Sequence, residues 1–525
     1  MLSFTYPYLM IYVAIVFYLL SLGLYEFSER RKLSVFMLFS GCFAIGLYVC
    51  SLDHFLHFWD ESFHALVAKN MIQNPLKPML RLDAVIPNNY KDWLNSTLWL
   101  HKQPLFMWQM ALSIKLFGVN EVAARIPSLT MVAMLVFPIY RMGKITVNER
   151  VGYYSAFLFS LSYYVHELAT GFWPTDHNDI AFVFYVTCSI WAFIEYEKSG
   201  SRKWILLIGY FVGCALLVKW LMGLLIYGGW GVSILFDMDK RMVVKNYIDI
   251  LLSLIITAIV VLPWQIYTWV KYPIESWYEY HYAKTHFTEG LDGHTGNALF
   301  HFNGLKEIYG HGDLIPYLMI VALILLLMRI KNKTYRIVFL FNVIAVYTFY
   351  TVANTKMVPY CLIVSSIFYI ALGSLLNYFF VFADLLIKRK VVVKLIITAT
   401  LLIVGFADFN YYKIHKNHVD SPENKDTYTY EVTKDTKVIK DLPNKLDGKD
   451  YVLFNCKKME HLAILFYTGF NAYDFIPEEE TVKSLERHNI KMAFNDNGKL
   501  PEYILNDSSI VKIKMDAGEQ KLQIH

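Results

Sequence analysis

A small set of ionisable residues interrupts an otherwise apolar sequence. Asp60 and Glu61 are adjacent and follow an apolar run, while Lys102, Lys219 and Lys356 stand beside or between other apolar runs. A carboxylate can take a proton from a hydroxyl group, and ammonium groups can stabilise a departing phosphate. Together these residue types suit a reaction between a lipid-borne anion and a hydroxylated acceptor. Each residue also has a simpler explanation when it is considered alone. The acids could be solvated loop residues, and the lysines could extend their side chains to the membrane interface.

The composition requires a membrane for most of the chain. Of the 525 residues, 56% are hydrophobic, 17% are aromatic and only 18% are charged. Residues 411–525 hold 36 of the 93 charged residues, so the charge density before residue 411 is low. We therefore predict a polytopic membrane domain over residues 1–410 and a small soluble domain over residues 411–525. The net charge of +5 is modest, and we infer no nucleic-acid partner.

Twelve segments are apolar enough to be predicted as transmembrane helices, each near the length that crosses a bilayer. They cover residues 4–25, 33–52, 126–145, 151–169, 179–196, 203–218, 220–236, 246–269, 314–330, 336–352, 358–383 and 391–409. Twenty Lys and Arg residues fall in or beside six alternate short connections, which predicts that these connections face the cytoplasm. The intervening connections and the tail then face the outside of a plasma (inner) membrane.

The predicted outer side carries two long loops, residues 53–125 and 270–313, and both are rich in Trp, Tyr and His. Long loops in compact proteins are usually functional. Part of this aromatic content is typical of an interfacial belt, and the remainder could line a site for a sugar ring. A divalent metal is a further candidate, with His101 and His294 as ligands, but the sequence has no tight ligand spacing.

The tail combines apolar runs such as residues 451–454 with helical stretches such as Glu478 to His488. This mixture predicts a small α/β domain. It contains no catalytic motif, and we expect it to recognise the acceptor or to cap the structure.

The ordered motifs of residues 53–365 resemble those of the GT-C type membrane glycosyltransferases. The branch of protein O-mannosyltransferases and the lipid A aminoarabinose transferase is the most similar. The matching strings are Asp60-Glu61, Lys102-Gln103-Pro104-Leu105, Ala124-Arg125-Ile126-Pro127-Ser128, Asp179, Val218-Lys219-Trp220, Leu262-Pro263-Trp264 and Lys356-Met357-Val358-Pro359-Tyr360. Gln103 replaces a proline of the family pattern, and no glycine directly follows Lys219.

The resemblance implies an all-α polytopic fold and transfer of a sugar from a polyprenyl phosphate to a hydroxyl group by a single inverting displacement. The acceptor would be a lipid A-like glycolipid, a glycan or a protein. Asp60 would be the base and Glu61 its supporting group. The other implied roles are binding of the phosphate donor by Lys102, Lys219, Lys356, Arg125 and Tyr360, and binding of sugar or acceptor by Asp179, Asp176, His101 and Trp264.

Two other functions remain open at this stage. Lysines within the membrane would also suit a lipid-linked sugar flippase or transporter, although a carrier is expected to place its site near the midplane between internal repeats. A non-catalytic subunit of polysaccharide assembly is the other alternative, and the intact Asp60-Glu61 pair argues against it.

Overall fold

The computed structural model describes residues 7–173, 176–219, 221–419, 428–446, 450–515 and 523–524. These residues form two compact units that do not follow chain order. One, here called the helical unit, comprises residues 7–50 and Pro127–Ile414. The other, here called the loop–tail unit, comprises Ser51–Ile126 and the described residues from His415 onward.

Among the described residues, nineteen α-helices precede the tail and a twentieth begins it. In chain order they are α1 (Pro7–Glu26), α2 (Arg31–Cys50), α3 (Asp60–Met71), α4 (Leu105–Phe117), α5 (Glu121–Met134), α6 (Val136–Thr146), α7 (Glu149–Ser160), α8 (Tyr163–Ala169), α9 (Asp176–Ser199), α10 (Lys203–Leu216), α11 (Leu225–Leu235), α12 (Met238–Arg241), α13 (Val244–Lys271), α14 (Pro273–Thr288), α15 (Phe300–Ile308), α16 (Ile315–Arg329), α17 (Lys333–Val352), α18 (Ser365–Leu386), α19 (Lys390–Phe409) and α20 (Tyr411–His418). Three 3₁₀ segments cover Leu221–Leu224, Leu291–Gly293 and Val358–Val364.

The predicted membrane architecture is confirmed as mostly helical, but the count of twelve spans is not. Within the described residues, eight helices are long and apolar enough to cross a membrane. Three predicted spans correspond to the shorter helices α10, α11 and α16. The predicted span 151–169 is divided between α7 and α8, because the helix stops at Leu161 and Ser162 caps a new one. Apolar composition does not reveal such a break.

Small residues allow close approach between helices in the helical unit. A Cβ built on Gly143 of α6 would lie 2.7 Å from the Cα of Gly152 in α7. This separation is too short for any side chain, so the contact requires glycine on both helices. In a bilayer the lipid tails are as apolar as the side chains, so the hydrophobic effect does not drive helices together. Close packing of this kind stabilises their association instead.

The tail forms the predicted α/β structure. Its elements are α21 (Tyr428–Lys445), β1 (Tyr451–Phe454), α22 (Glu460–Tyr467), β2 (Asn471–Ala472), α23 (Glu479–Arg487), β3 (Lys491–Asn495), α24 (Glu502–Leu505), β4 (Val511–Lys514) and β5 (Gln523–Ile524). The strand order is β2-β1-β3-β4-β5, with β5 antiparallel to β4 and the other neighbours parallel. The apolar run at residues 451–454 is strand β1, which lies between β2 and β3.

Residues 51–126 pack onto the tail within the loop–tail unit. Val85 and Ile86 contact the core of the sheet domain. The buried Arg81 donates to the Ala472 carbonyl through Nη2 at 2.7 Å and Nε at 3.2 Å, and to the Ser96 carbonyl through Nη1 at 3.1 Å. Burial lowers the pKa of this guanidinium to about 10, so it remains charged at neutral pH. A buried arginine therefore joins the first long loop to strand β2.

Replacing Arg81 should loosen the tail. We expect Arg81→Met to destabilise the loop–tail unit by about 2–4 kcal/mol, because it removes charge-assisted bonds to buried carbonyls. The measurement is thermal unfolding in detergent, with limited proteolysis to follow release of the tail. The exposed Lys91 of the same loop supplies the control Lys91→Met, and equal behaviour of the two variants would contradict the assignment.

Candidate functional site

Asp60 lies at the start of helix α3 in the loop–tail unit. The preceding residue, Trp59, occupies the N-cap position with a φ of 67°, a left-handed conformation that is strained for a tryptophan. Asp60 and Glu61 form the first turn of the helix, where the macrodipole favours negative charge. The strained N-cap thus sets the point at which the helix begins and the Asp60 carboxylate is presented.

Lys102 is the cation that the structure places beside Asp60. Its Nζ lies 3.9 Å from Asp60 Oδ1, and each side chain is about one-fifth exposed. His64 follows one turn later on α3, and burial lowers the pKa of its imidazole to about 3. His64 is therefore neutral at physiological pH and contributes no charge near Asp60.

Aromatic side chains surround the Asp60–Lys102 pair in sequence and in space. Trp59 stacks on Trp93 with ring centroids 6.1 Å apart, and His101 stacks on the same Trp93 at 5.6 Å. Trp59 is 44% exposed, so one large apolar face is accessible next to the acid. His101 thus lies near Asp60, where the resemblance implies a sugar or acceptor contact.

Glu61 and Arg125 form a fully buried ion pair. Arg125 Nε lies 2.7 Å from Glu61 Oε1, and Nη2 lies 3.0 Å from Oε2, which is a bidentate arrangement. Arg125 also donates to the carbonyls of Asp53 and Phe55, while the His57 N–H donates to Glu61 Oε2 at 2.7 Å. These contacts fix residues 53–57, the segment that leads into Trp59 and Asp60.

A second polar group lies in the helical unit. Lys219 Nζ is 2.7 Å from Asp179 Oδ1 and 4.4 Å from the centroid of the Tyr360 ring. The Asp179 side chain is buried, whereas that of Lys219 is 24% exposed. The structure thus brings together three residues of different motifs, of which Asp179 and Tyr360 are 181 positions apart in the chain. Asp179 orients the lysine, whose side chain stays partly exposed.

Lys356 has a different environment from that of Lys219. It is buried, and its Nζ donates to the carbonyls of Thr351 at 2.7 Å and Ala353 at 2.6 Å. These carbonyls belong to the end of α17, where a cation is favoured by the helix dipole. Lys356 therefore holds the turn that leads to the 3₁₀ segment with Tyr360.

The remaining predicted residues are placed as follows. Trp264 is buried in α13. Asp176 begins α9, but its side chain lies outside the described residues. The His294 carbonyl accepts a hydrogen bond from the Lys356 N–H at 2.9 Å. His101 and His294 belong to different units, and neither is part of a described cluster of three or more metal-binding side chains.

The helical unit contains an apolar groove of about 470 Å³, whose first lining residue in the chain is Leu221. Its lining includes Leu221, Leu225, Tyr227, Phe341 and Phe349, from the 3₁₀ segment that follows Lys219 and from helices α11 and α17. The groove is open and carries almost no polar surface. Such a groove can accept an aliphatic chain.

The structure also brings together Asp53, His57 and His418, which belong to none of the GT-C motifs. The spacing Asp53-x-x-x-His57 is a local signal that could have drawn attention to the first two, but His418 is 365 positions away. Burial opposes ionisation of Asp53, yet the imidazoles of His418 and His57 hold the pKa of its carboxyl well below the ordinary value.

Comparisons with known proteins agree with the motifs. Residues 101–267 match the family model of dolichyl-phosphate-mannose-protein mannosyltransferases. ArnT from Cupriavidus metallidurans bound to undecaprenyl phosphate superposes with a TM-score of 0.61 at 14% identity, covering 90% of this chain and 92% of that one. Its apo form gives 0.60 at 13% identity, covering 87% of this chain and 92% of that one.

The oligosaccharyltransferase AglB from Archaeoglobus fulgidus, in complex with an inhibitory peptide and a dolichol-phosphate, gives a TM-score of 0.57 at 10% identity. That match covers 89% of this chain and 70% of the other. The chain has the GT-C fold. The resemblance to the GT-C membrane glycosyltransferases is thereby confirmed, although no curated protein matches in sequence. The matched segment contains Lys102, Arg125, Asp179 and Lys219 of the GT-C motifs.

The Lys219–Asp179 pair should contribute measurably to stability. We expect Lys219→Met to destabilise the protein by about 3 kcal/mol, because the buried Asp179 carboxylate loses its ammonium partner. The double variant Lys219→Met/Asp179→Asn should recover most of this loss in thermal unfolding measurements.

An exposed pair of the same types, Lys306 and Asp313 at 3.0 Å, supplies the control for this measurement. Lys306→Met should change the stability by less than about 1 kcal/mol, since solvent screens that pair. A double variant no more stable than Lys219→Met alone would show that the two residues are not coupled.

Proposed function

We propose that this chain is an integral membrane glycosyltransferase that uses a polyprenyl-phosphate sugar as donor. The observation that carries the proposal is the Asp60–Lys102 pair at the start of α3, in a chain with the GT-C fold. A carboxylate able to accept a proton and a cation able to stabilise phosphate lie within 4 Å of each other. The sugar is a hexose or a pentose, and the acceptor is a lipid A-like glycolipid, a glycan or a protein.

The reaction is one inverting displacement. The acceptor hydroxyl oxygen forms a bond to the anomeric carbon while the bond from that carbon to the phosphate oxygen breaks. Asp60 takes the hydroxyl proton, and the bonding electrons leave with the polyprenyl phosphate. General base assistance of this kind contributes typically about 10²–10⁴-fold to a rate. Glu61 supports Asp60 by holding the preceding loop through Arg125.

The resemblance to the GT-C motifs assigns Lys102 and Lys219 to the phosphate, and an ammonium group stabilises the negative charge that grows there. Both lysine side chains are partly exposed, so we expect each to contact a ligand while keeping its acidic neighbour. A lysine acts on phosphate as a point charge and needs no bidentate geometry. In this proposal Lys356 and Arg125 support the donor site through the backbone they hold, whereas Tyr360, Asp179, Asp176, His101 and Trp264 contact donor, sugar or acceptor.

The apolar groove after Lys219 takes the isoprenoid tail of the donor. Its lining is aliphatic and aromatic, and the first lining residue, Leu221, follows Lys219 by two positions in the chain. The ArnT structure with undecaprenyl phosphate and the AglB structure with a dolichol-phosphate support a lipid phosphate as the ligand. The AglB complex also contains a peptide, which supports keeping a protein among the acceptors.

The protein acts from the plasma (inner) membrane, with residues 53–125, residues 270–313 and the tail on the extracytoplasmic side. The concentration of Lys and Arg in the alternate short connections supports this orientation. The membrane domain of residues 1–410 would carry the transfer, and residues 411–525 would form the extracytoplasmic domain. In this arrangement the tail and the first long loop face the acceptor.

Asp60→Asn should abolish sugar transfer while leaving membrane insertion and the fold unchanged. The amide cannot accept the hydroxyl proton, and we expect a loss of at least about 100-fold. The measurement is mass spectrometry of lipids and glycans from cells that lack the protein and are complemented with each variant. Cells with Asp60→Asn should accumulate polyprenyl-phosphate sugar and contain an under-glycosylated acceptor.

Asp83→Asn is the matched control, because Asp83 is an exposed acid of the same loop. It should restore normal glycosylation. Full transfer by Asp60→Asn would remove Asp60 as the base. Lipid-linked sugar trapped on the cytoplasmic leaflet in the absence of the protein would favour a flippase, and unchanged transfer in its absence would favour a non-catalytic subunit.

A further inference from the structure

Asp53, His57 and His418 form a closed polar cluster inside the loop–tail unit. Asp53 Oδ2 lies 2.8 Å from His57 Nε2 and 2.5 Å from His418 Nδ1. One donor atom from each residue can be chosen so that all three lie within 4.8 Å of one another. The Asp53 and His418 side chains are completely buried, and His57 is nearly so. This is an unusual concentration of ionisable groups away from solvent.

The second carboxylate oxygen of Asp53 provides an independent observation. Among the described residues, Asp53 Oδ1 is buried and has no hydrogen-bond partner. Buried polar atoms nearly always have a partner, and an unsatisfied carboxylate oxygen is costly. The cluster thus contains three ligand atoms together with an oxygen whose bonding capacity is unused. Both features are expected of a site that binds a cation.

We propose that Asp53, His57 and His418 bind a transition-metal ion of the Zn²⁺ class. Two imidazole nitrogens and one carboxylate oxygen are the ligand types that Zn²⁺ accepts, whereas Mg²⁺ and Ca²⁺ prefer oxygen ligands alone. Tetrahedral coordination with Zn–N and Zn–O bonds of about 2.0–2.1 Å separates neighbouring ligands by about 3.3 Å. The separations in the cluster, from 2.5 Å to at most 4.8 Å, bracket this spacing, and Asp53 Oδ1 or a water takes the fourth position.

The ion would fasten the start of the tail to the loop that leads into α3. His418 ends α20, while Asp53 and His57 lie in the segment that Arg125 and Glu61 hold. The His57 backbone N–H donates to Glu61, so the metal ligand and the residue beside Asp60 are linked by one hydrogen bond. The role is positional, and the site does not depend on the proposed transfer reaction.

A metal-free alternative uses the same residues. A carboxylate that accepts one N–H from each imidazole would also explain the two short distances. It would leave Oδ1 without a partner, since both imidazoles contact Oδ2. The two arrangements differ in whether the intact protein binds a metal, so metal content distinguishes them.

The experiment uses the full-length protein in detergent, stripped with a chelator and then titrated with Zn²⁺. We expect about one Zn²⁺ per chain by elemental analysis and a higher unfolding temperature on binding, since a ligand of the folded state stabilises it. Asp53→Asn and His418→Gln should each weaken Zn²⁺ binding by at least about 10–100-fold. His54→Gln, an exposed histidine of the same loop, should bind Zn²⁺ like the unmodified protein.

Co²⁺ titration of the unmodified protein makes the test independent of how well the variants fold. We expect absorption bands of a tetrahedral site that disappear on addition of Zn²⁺. The proposal is overturned if the stripped protein takes up neither ion. It is also overturned if the Asp53 and His418 variants bind Zn²⁺ as tightly as the His54 variant, because the ion would then lie elsewhere.

Discussion

The buried ion pair between Glu61 and Arg125 is the interaction on which the start of the first long loop, and the position of Asp60 with it, depends. It places two opposite charges out of water at bidentate distance, and Arg125 uses further donors on the carbonyls of Asp53 and Phe55. Removing a single partner would leave a buried charge uncompensated, so the two residues stabilise the loop only as a pair. Its consequence is geometric. The chain before Trp59 has one path, and Asp60 therefore occupies a fixed position at the start of α3.

Local patterns predicted the elements better than their connections. The apolar run at residues 451–454 became strand β1, and the pattern at residues 478–488 became helix α23, because alternation and helical periodicity are local properties. The contact of Arg81 with the Ala472 carbonyl spans 391 residues and has no such signature. The grouping of the first loop with the tail follows from contacts of this kind, which a single sequence does not encode in any visible pattern.

The lysines show how far the sequence predicts the candidate site. Lys219 and Lys356 both follow apolar helices and both match motifs, so the sequence gives them the same predicted role. The structure separates them: the Lys219 side chain is partly exposed beside Asp179, whereas Lys356 is buried and donates to the carbonyls that end α17. The difference depends on where a helix ends relative to the lysine, which is a property of the backbone.

Several of the bonds that join the loop–tail unit end on backbone carbonyls of the tail. Arg81 donates to Ala472, and Lys69 donates to Leu465 and Phe466, in each case to the main-chain oxygen. A carbonyl is present whatever side chain the residue carries, so these bonds constrain the path of the tail rather than its sequence. Substitutions at positions 465, 466 and 472 would therefore leave these bonds intact, whereas substitution of Asp474, whose carboxylate accepts from Asn95 Nδ2 at 2.7 Å, would remove a bond.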